Sequence, residues 1–141
     1  MRKLTGGVGL ALTLALGAAG CDNKIQTPTT PTTPANTVTE SFAGSITPNG
    51  AVTYFYNATA AGPLTATILT LTPDATVSLG LAIGTFNGFS NCQTVISDER
   101  ASQGTTVRGN VSGAGTLCVR IYDSSGTIPA TTKFEIIVVH P

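Results

Sequence analysis

The sequence from residue 38 onward consists of short β-branched and aromatic runs separated by turn residues, and this pattern most constrains the fold. Thr and Val are stiff at χ1 and pack well on pleated strands, whereas Gly, Pro, Asn and Asp mark turns. Helix formers such as Glu, Lys and Gln are scarce. About eight such runs in residues 38–141 predict an all-β domain, a sandwich or a barrel, with enough residues for one small core.

The runs alternate well enough for their faces to be assigned, because strand side chains point to opposite sides in turn. Tyr54 and Tyr56 are predicted to face the core, and the third run breaks its alternation at Leu69, which predicts a bulge or two buried faces. The last run is apolar on both faces near its end, which predicts a central strand, and residues 84–91 are predicted to form a loop. The predicted strands are Val38–Ile46, Ala51–Asn57, Leu64–Leu71, Thr76–Ile83, Cys92–Ser97, Thr105–Ser112, Thr116–Asp123 and Lys133–Val139.

Residues 1–20 have the features of a secretory signal peptide. Arg2 and Lys3 form a positive segment, Leu4–Leu16 is apolar and uncharged, and Ala18-Ala19-Gly20 supplies small residues for cleavage. The apolar stretch is shorter than the roughly 20 residues that a membrane span needs. Cleavage is therefore predicted in preference to a single-pass anchor.

The residues Ala18-Ala19-Gly20-Cys21 resemble the lipobox of bacterial lipoproteins. In that family the cysteine thiol receives a diacylglyceryl group and the peptide is cut before it, so the resemblance implies that Cys21 carries lipid. Ala18 departs from the Leu that the family prefers, and the alternative is an ordinary secreted protein with a cysteine near the cut. Two or more acyl chains give stable membrane attachment. The expected location is the cell envelope, on a lipid anchor.

The following residue, Asp22, resembles an inner-membrane retention signal of enterobacterial lipoproteins. That rule does not hold in all bacteria, so the membrane stays unassigned. Residues 21–37 then form a linker rich in Pro and Thr. Such a segment favours extended polyproline II at about 3.1 Å per residue, which gives a reach on the order of 50 Å. The expected organisation is a signal peptide in residues 1–20, this linker, and one domain in residues 38–141.

The charge balance excludes one class of partner. Without residues 1–20 the chain keeps five basic and seven acidic residues, a net charge of −2. Nucleic-acid binding needs a basic stripe that neutralises phosphates, and the sequence has none. The expected partners are the membrane, through the lipid, and a glycan or an envelope protein, and the domain is expected to be a monomer.

The domain resembles a known family in the order of its apolar and glycine positions. These are Phe42-x-Gly44, Leu64-x-Ala66-x-Ile68, the run from Gly115 to Ile121 and the run from Phe134 to Val138. The pattern, which covers residues 40–141, is similar to the bacterial pre-peptidase C-terminal domain. The resemblance implies an antiparallel jelly-roll-like β-sandwich of about eight strands and export from the cell. The chain departs from that family in its cysteines and in lacking an aromatic residue near the end of the third strand.

Cys92 and Cys118 form an even pair in a domain predicted to be exported, which indicates a disulfide. The alternatives are a metal site or a redox pair. A metal site needs more ligands nearby, and redox pairs usually have the Cys-x-x-Cys spacing. The disulfide would close a loop of about 27 residues and stabilise the domain by roughly 3.5 kcal/mol.

The sequence contains no recognisable catalytic machinery, so no catalytic residue, metal or cofactor is predicted beyond the lipid on Cys21. His140 is the only histidine and is expected to be a solvated chain end. A nucleophile elbow and a His-Glu-x-x-His motif are both absent from the sequence. Asp98 and Glu99 are expected in a solvated loop, since calcium takes six to eight oxygen ligands and two neighbours fall short.

Phe86 and Phe89 lie in the predicted loop between the fourth and fifth strands and form a candidate ligand patch. Exposed, they would favour binding of a partner; folded back over the core, they would favour a structural or accessory role. The predicted function is a non-enzymatic envelope lipoprotein that displays a binding or accessory domain. The alternative is a polysaccharide- or protein-fibre-binding module of a secreted hydrolytic system, which the family resemblance allows.

Overall fold

The computed structural model describes residues 36–89 and 91–141, and in these ranges it contains eight strands. The predictions for residues 1–20, for Cys21 and for most of the linker lie outside the described residues. No helix in the described part is long and apolar enough to cross a membrane. The strands are β1 (Val38–Ile46), β2 (Ala51–Ala58), β3 (Gly62–Thr72), β4 (Leu79–Phe86), β5 (Cys92–Ala101), β6 (Thr106–Val111), β7 (Gly115–Tyr122) and β8 (Thr132–His140).

The strands form two antiparallel sheets of four strands each. Sheet 1 has the order β1-β8-β3-β6, and sheet 2 has the order β2-β7-β4-β5. Only β4 and β5 follow one another within one sheet, and every other connection crosses between the sheets. This is the jelly-roll arrangement of two Greek keys. The predicted all-β sandwich is therefore confirmed.

The core lies between the sheets and is built from alternate residues of each strand. In β8, Phe134, Ile136 and Val138 point inward and are at most 3 % exposed, while the residues between them are only partly buried. Burying each such side chain contributes about 1.5–3 kcal/mol. β8 has a hydrogen-bonded neighbour on both sides, as the apolar character of its two faces predicts.

The predicted irregularity in the third strand is a β-bulge. The pairing of β3 with β8 shifts register between Ile68 and Thr70, which leaves Leu69 without an opposite residue. Ile68 is fully buried, whereas Leu69 is 43 % exposed. An extra residue in one strand redirects its side chain, so the break in alternation at Leu69 is explained.

The boundaries predicted for the fourth and fifth strands are wrong. β4 continues to Phe86, because Gly84 and Thr85 pair with β7 on one side and with β5 on the other. β5 likewise continues past Ser97, which places Asp98 and Glu99 in a strand and not in a loop. Pairing with neighbouring strands, two for β4 and one for β5, has outweighed the weak local preference of these residues.

Both ends of the domain lie at the same end of the sandwich. The strands alternate in direction, so Val38 at the start of β1 is directly opposite His140 at the end of β8. The backbone N–H of Thr59 donates to the carbonyl oxygen of Pro141 at 3.0 Å. The β2–β3, β4–β5 and β6–β7 connections are at this end too. We name it the terminal end.

Candidate functional site

Three exposed phenylalanines lie at the terminal end, on sheet 2 and in the connection that leaves it. Phe55 and Phe86 are 40 % and 39 % exposed, and Phe89 is 82 % exposed. Phe55 points away from the core, because its neighbours Tyr54 and Tyr56 pack against the core. We name Phe55, Phe86 and Phe89 the aromatic surface. Because exposed apolar patches are often sites of interaction, the aromatic surface is the candidate site of this domain.

The rings of Phe55 and Phe86 contact each other across β7. Their centroids are 5.3 Å apart and the ring planes are inclined by 76°, an edge-to-face arrangement. Such a pair contributes about 0.5–1.5 kcal/mol beyond the area it buries. The two rings therefore hold each other in place on the outer face of sheet 2.

Phe89 is held away from the core by its short connection. Asn87 organises this segment, because its Oδ1 accepts the backbone N–H of Phe89 at 3.3 Å. Gly88 has a φ of +89°, a conformation that residues with a Cβ rarely adopt. The alternative in which Phe86 and Phe89 fold back to cap the core is wrong, and so is the placement of Phe86 in the loop, since it ends β4.

The predicted disulfide joins Cys92 to Cys118, with Cα atoms 5.7 Å apart. Cys92 begins β5 and Cys118 lies in β7, so the bond crosses the outer face of β4, which lies between them. Gly84 is the residue of β4 opposite Cys118. A Cβ on Gly84 would lie 2.7 Å from the backbone carbonyl carbon of Gln93, so only glycine leaves room for the crossing. A metal site at these two cysteines is excluded because their sulfur atoms are bonded.

The disulfide stabilises the base of the aromatic surface. Cys92 is opposite Phe86 in the β4–β5 pair, and Cys118 is opposite Phe55 in the β2–β7 pair. The bond therefore links the strand positions next to both rings. The β4–β5 connection, which carries Phe89, ends at Cys92, one of the two bonded residues.

The terminal end is poor in charge. The sequence has no charged residue in the ranges 41–73, 75–97 and 109–119, which supply the aromatic surface and the connections around it. A neutral surface neither attracts nor repels an ionic partner at long range. Recognition here would depend on apolar contact and hydrogen bonding.

A cleft of about 320 Å³ opens at the terminal end, between the start of β5 and the β6–β7 segment. The residues that line it belong to the described ranges and include no charged side chain. Val95 and Ile96 form one wall and are 66 % and 37 % exposed. The large apolar lining residues are Leu64, Ile83, Val95, Ile96, Val111 and Leu117.

His140 is not the solvated chain end that the sequence predicts. It is 1 % exposed, and its Nε2 lies 3.1 Å from a carboxylate oxygen of Glu40 on the neighbouring strand. Its ring packs on Tyr56 with centroids 4.9 Å apart. The pairing of β1 with β8 brings these residues together from 100 positions apart, which local sequence cannot reveal.

Tyr56 belongs to the core, as predicted, and is 3 % exposed. Its buried hydroxyl has no hydrogen-bond partner among the described residues. Burial, and secondarily the nearby Glu40 carboxylate, raise the pKa of Tyr56 well above its ordinary value. The hydroxyl is therefore neutral across the physiological range and is not available as a base.

The acidic residues of β5 make structural contacts on the outer face of sheet 2. The Tyr122 hydroxyl donates to a carboxylate oxygen of Glu99, and the Arg120 guanidinium lies 5.2 Å from the centre of the Tyr122 ring. Asp98 accepts the backbone N–H of Arg100 at 2.9 Å. No group of three His, Cys, Asp or Glu residues that could hold a metal ion occurs within the described residues.

Sequence reasoning missed Phe55 as a member of the aromatic surface. The signal was present, because Phe55 alternates with the inward-facing Tyr54 and Tyr56 and must point outward. Its contact with Phe86 depends on the strand order β2-β7-β4, which the sequence does not reveal.

No protein-family model matches the chain, so the resemblance to the pre-peptidase C-terminal family stays a prediction. No curated protein matches it either. Among solved structures, the chain is similar to the crystal structure of Aeromonas hydrophila PliG, a periplasmic inhibitor of g-type lysozyme. The TM-score is 0.49 at 12 % sequence identity, and the match covers 72 % of this chain and 84 % of that one. At that identity the likeness transfers no function to this chain.

Proposed function

We propose that this protein is a non-enzymatic, lipid-anchored envelope protein whose β-sandwich binds a partner through the aromatic surface. The observation that carries the proposal is the exposure of Phe89, which is 82 % accessible at the tip of the β4–β5 connection. A phenylalanine in water is unfavourable by about 1.5–3 kcal/mol relative to a buried one. A partner that covers Phe89 recovers this free energy.

Aromatic side chains are also the residues that dominate binding surfaces energetically. The disulfide and the Phe55–Phe86 contact restrain the surface before a partner arrives. A surface that is already ordered loses less conformational entropy when it binds. The aromatic surface therefore has the composition and the rigidity that a binding site requires.

The non-enzymatic part of the proposal is supported by the environment of the one histidine. In the part of the chain that the structure describes, His140 contacts Glu40, Tyr56 and the carbonyl oxygen of Pro141. A histidine that serves as a general base must reach a serine or cysteine nucleophile or the substrate. A buried ring bonded to Glu40 is suited to holding β1 and β8 together.

The proposed lipid anchor depends on Cys21, and it can be tested separately from binding. Expression of the full chain in a bacterium should yield a membrane-associated protein whose N-terminal peptide carries the mass of a diacylglyceryl group. The Cys21→Ser variant should lose that mass and leave the membrane fraction. Release of the unmodified chain into the soluble fraction would contradict anchoring and leave the secreted-protein alternative.

Binding is tested on residues 36–141, which contain every strand and the core of the described fold. The oxidised domain is mixed with insoluble peptidoglycan, cellulose, chitin or collagen, and the pelleted fraction is measured. The Phe86→Ala/Phe89→Ala variant should lose retention without a change in Tm. Leu69→Ala is the matched control, because Leu69 is 43 % exposed in a bulge of the other sheet. Absence of retention on all four polymers would contradict the proposal for these ligands.

A second candidate function is a polysaccharide-binding or protein-fibre-binding module of a secreted hydrolytic system. The Phe55–Phe86 pair favours it, because exposed aromatic rings on a β-sheet can stack against a sugar face. Retention on cellulose or chitin but not on collagen would support the polysaccharide module. Retention on collagen alone would support the protein-fibre module.

A further inference from the structure

The cleft at the terminal end is lined in part by β6, which is an edge strand of sheet 1. β6 is the last strand of that sheet and pairs only with β3 in the described part of the chain. Its pairing is regular, with no register shift from Gly62 opposite Val111 to Thr67 opposite Thr106. An edge strand of this kind presents backbone N–H and C=O groups that a further strand can bond.

The other wall of the cleft is apolar because of a bulge in β5. Ile96 is opposite Ile83 and Thr94 is opposite Gly84, so Val95 has no opposite residue in β4. Bulges redirect side chains, and Val95 is 66 % exposed at the rim of the cleft. The bulge also makes β5 a poorer template for a continuous added strand than β6.

Glycines leave backbone accessible along the cleft. A Cβ on Gly109 would lie 2.9 Å from the Cδ1 atom of Ile96, so the Ile96 side chain packs directly against the backbone of β6 at this position. Gly113 and Gly115, in and after the β6–β7 connection, have no heavy atom within 4 Å of an added Cβ. A partner backbone can therefore approach this segment closely.

We infer that the β6 edge and this cleft together bind an extended, uncharged polypeptide segment with apolar residues at alternate positions. A strand added beside β6 would lie about 4.8 Å from it and send alternate side chains toward sheet 2. Those side chains would lie next to Gly109 and contact Val95 and Ile96. Main-chain hydrogen bonds would supply affinity and the cleft would supply specificity, as in other cases of strand addition.

The residues that line the cleft determine which side chains a bound polypeptide segment can place in it. None of the residues that line the cleft is charged, so a carboxylate or ammonium group entering it would lose hydration without meeting an opposite charge. A volume of about 320 Å³ is at the lower limit for small-molecule pockets. It suits one or two aliphatic side chains, and this site is separate from the aromatic surface.

The test uses the oxidised domain and a fluorescein-labelled, end-blocked peptide of alternating threonine and valine, with binding followed by fluorescence anisotropy. A peptide with aspartate in place of valine is the specificity control. Val95→Asp should weaken binding about tenfold or more, because it places a charge at the rim of the cleft. Leu69→Asp is the matched control, an exposed apolar residue in a bulge away from the cleft, and should bind as the unmodified domain does.

Hydrogen exchange locates the peptide. Bound peptide should slow amide exchange in Thr106–Val111, and the Phe86→Ala/Phe89→Ala variant should bind it as tightly as the unmodified domain. Equal binding by Val95→Asp, protection of the β1 or β2 edge in place of β6, or loss of binding in the double Phe variant would overturn the inference. Binding of dodecanol to the cleft without binding of the peptide would overturn it too and indicate a site for a single apolar chain.

Discussion

The Sγ atom of Cys92 lies 3.1 Å from the position that a Cβ atom on Gly84 would occupy. The disulfide to Cys118 crosses the outer face of β4 at this point, and the absence of a side chain at residue 84 leaves room for Cys92 and the Gln93 backbone. The disulfide and Gly84 are thus in close contact, next to the strand positions that carry Phe55 and Phe86.

Position 84 should not accept a larger residue than glycine. Gly84→Ala should lower the free energy of unfolding by about 1–3 kcal/mol, because the added methyl group meets the backbone at Gln93, which cannot move aside as a flexible side chain would. Urea denaturation measures the change. Gly113→Ala is the control, since an added Cβ there has no neighbour within 4 Å. Equal stability of the two variants would show that the crossing tolerates a side chain.

The disulfide itself should contribute much of the stability of the domain. The bonded cysteines are 26 positions apart, and closing a loop of this length is worth about 3.5 kcal/mol in the chain-entropy model. The Cys92→Ala/Cys118→Ala variant should lose an amount of this order in urea denaturation. Reductant should lower the unmodified domain to a similar stability and leave the variant unchanged. A urea midpoint that does not respond to reductant would contradict this.

Removing the hydroxyl of Tyr54 or of Tyr56, both in β2, should change the free energy of unfolding in opposite directions. Tyr56→Phe should raise the free energy of unfolding by about 1 kcal/mol, because the hydroxyl is buried without a partner among the described residues. Tyr54→Phe should lower it by about 1 kcal/mol, because the Tyr54 hydroxyl donates to the carbonyl oxygen of Ala43 at 2.8 Å. Thermal and urea denaturation of the pair test the contrast, and a loss in both variants would reveal an unrecognised partner of Tyr56.

Acid should weaken the domain through Asp123. Burial raises the pKa of this carboxyl, but backbone N–H groups of Asn49, Thr127 and Ile128 bond to it and together hold the pKa below its ordinary value. A lowered pKa gives stability that is present above the unfolded value of about 3.9 and is lost as the pH falls through the folded value.

The corresponding variant is Asp123→Asn. It should be less stable than the unmodified domain near pH 7, and the difference should shrink as the pH falls below about 4. Asp98→Asn is the control, since Asp98 accepts a single backbone N–H, from Arg100. A difference that is independent of pH would show that the charge of Asp123 is not what stabilises this turn.

Much of the fold could be predicted from the sequence because its signals are local. The alternation in β7 and β8 identifies the buried face, and the break at Leu69 marks the bulge. The even pair of cysteines predicted the disulfide. These inferences depend only on neighbouring residues and on the number of cysteines.

The features that could not be predicted depend on contacts between distant residues. β4 extends to Phe86 because β5 and β7 pair with it, although Gly84 and Asn87 favour a turn. His140 is held in the fold by Glu40 of β1 and Tyr56 of β2, which are both distant from it in the sequence. The aromatic surface similarly needs β2 and β4 on either side of β7, which no single run of residues specifies.

Val38 lies at the terminal end, together with the β4–β5 and β6–β7 connections. This matters for any form of the protein that is tethered to a membrane. A chain held by lipid on Cys21 enters the sandwich at Val38, so both proposed binding sites share the end of the domain at which the tether attaches. A partner would then have to fit in the gap between the domain and the bilayer. In the extended form that the sequence predicts, residues 22–37 would allow a gap on the order of 50 Å. The length of this linker would then set an upper limit on the size of the partner.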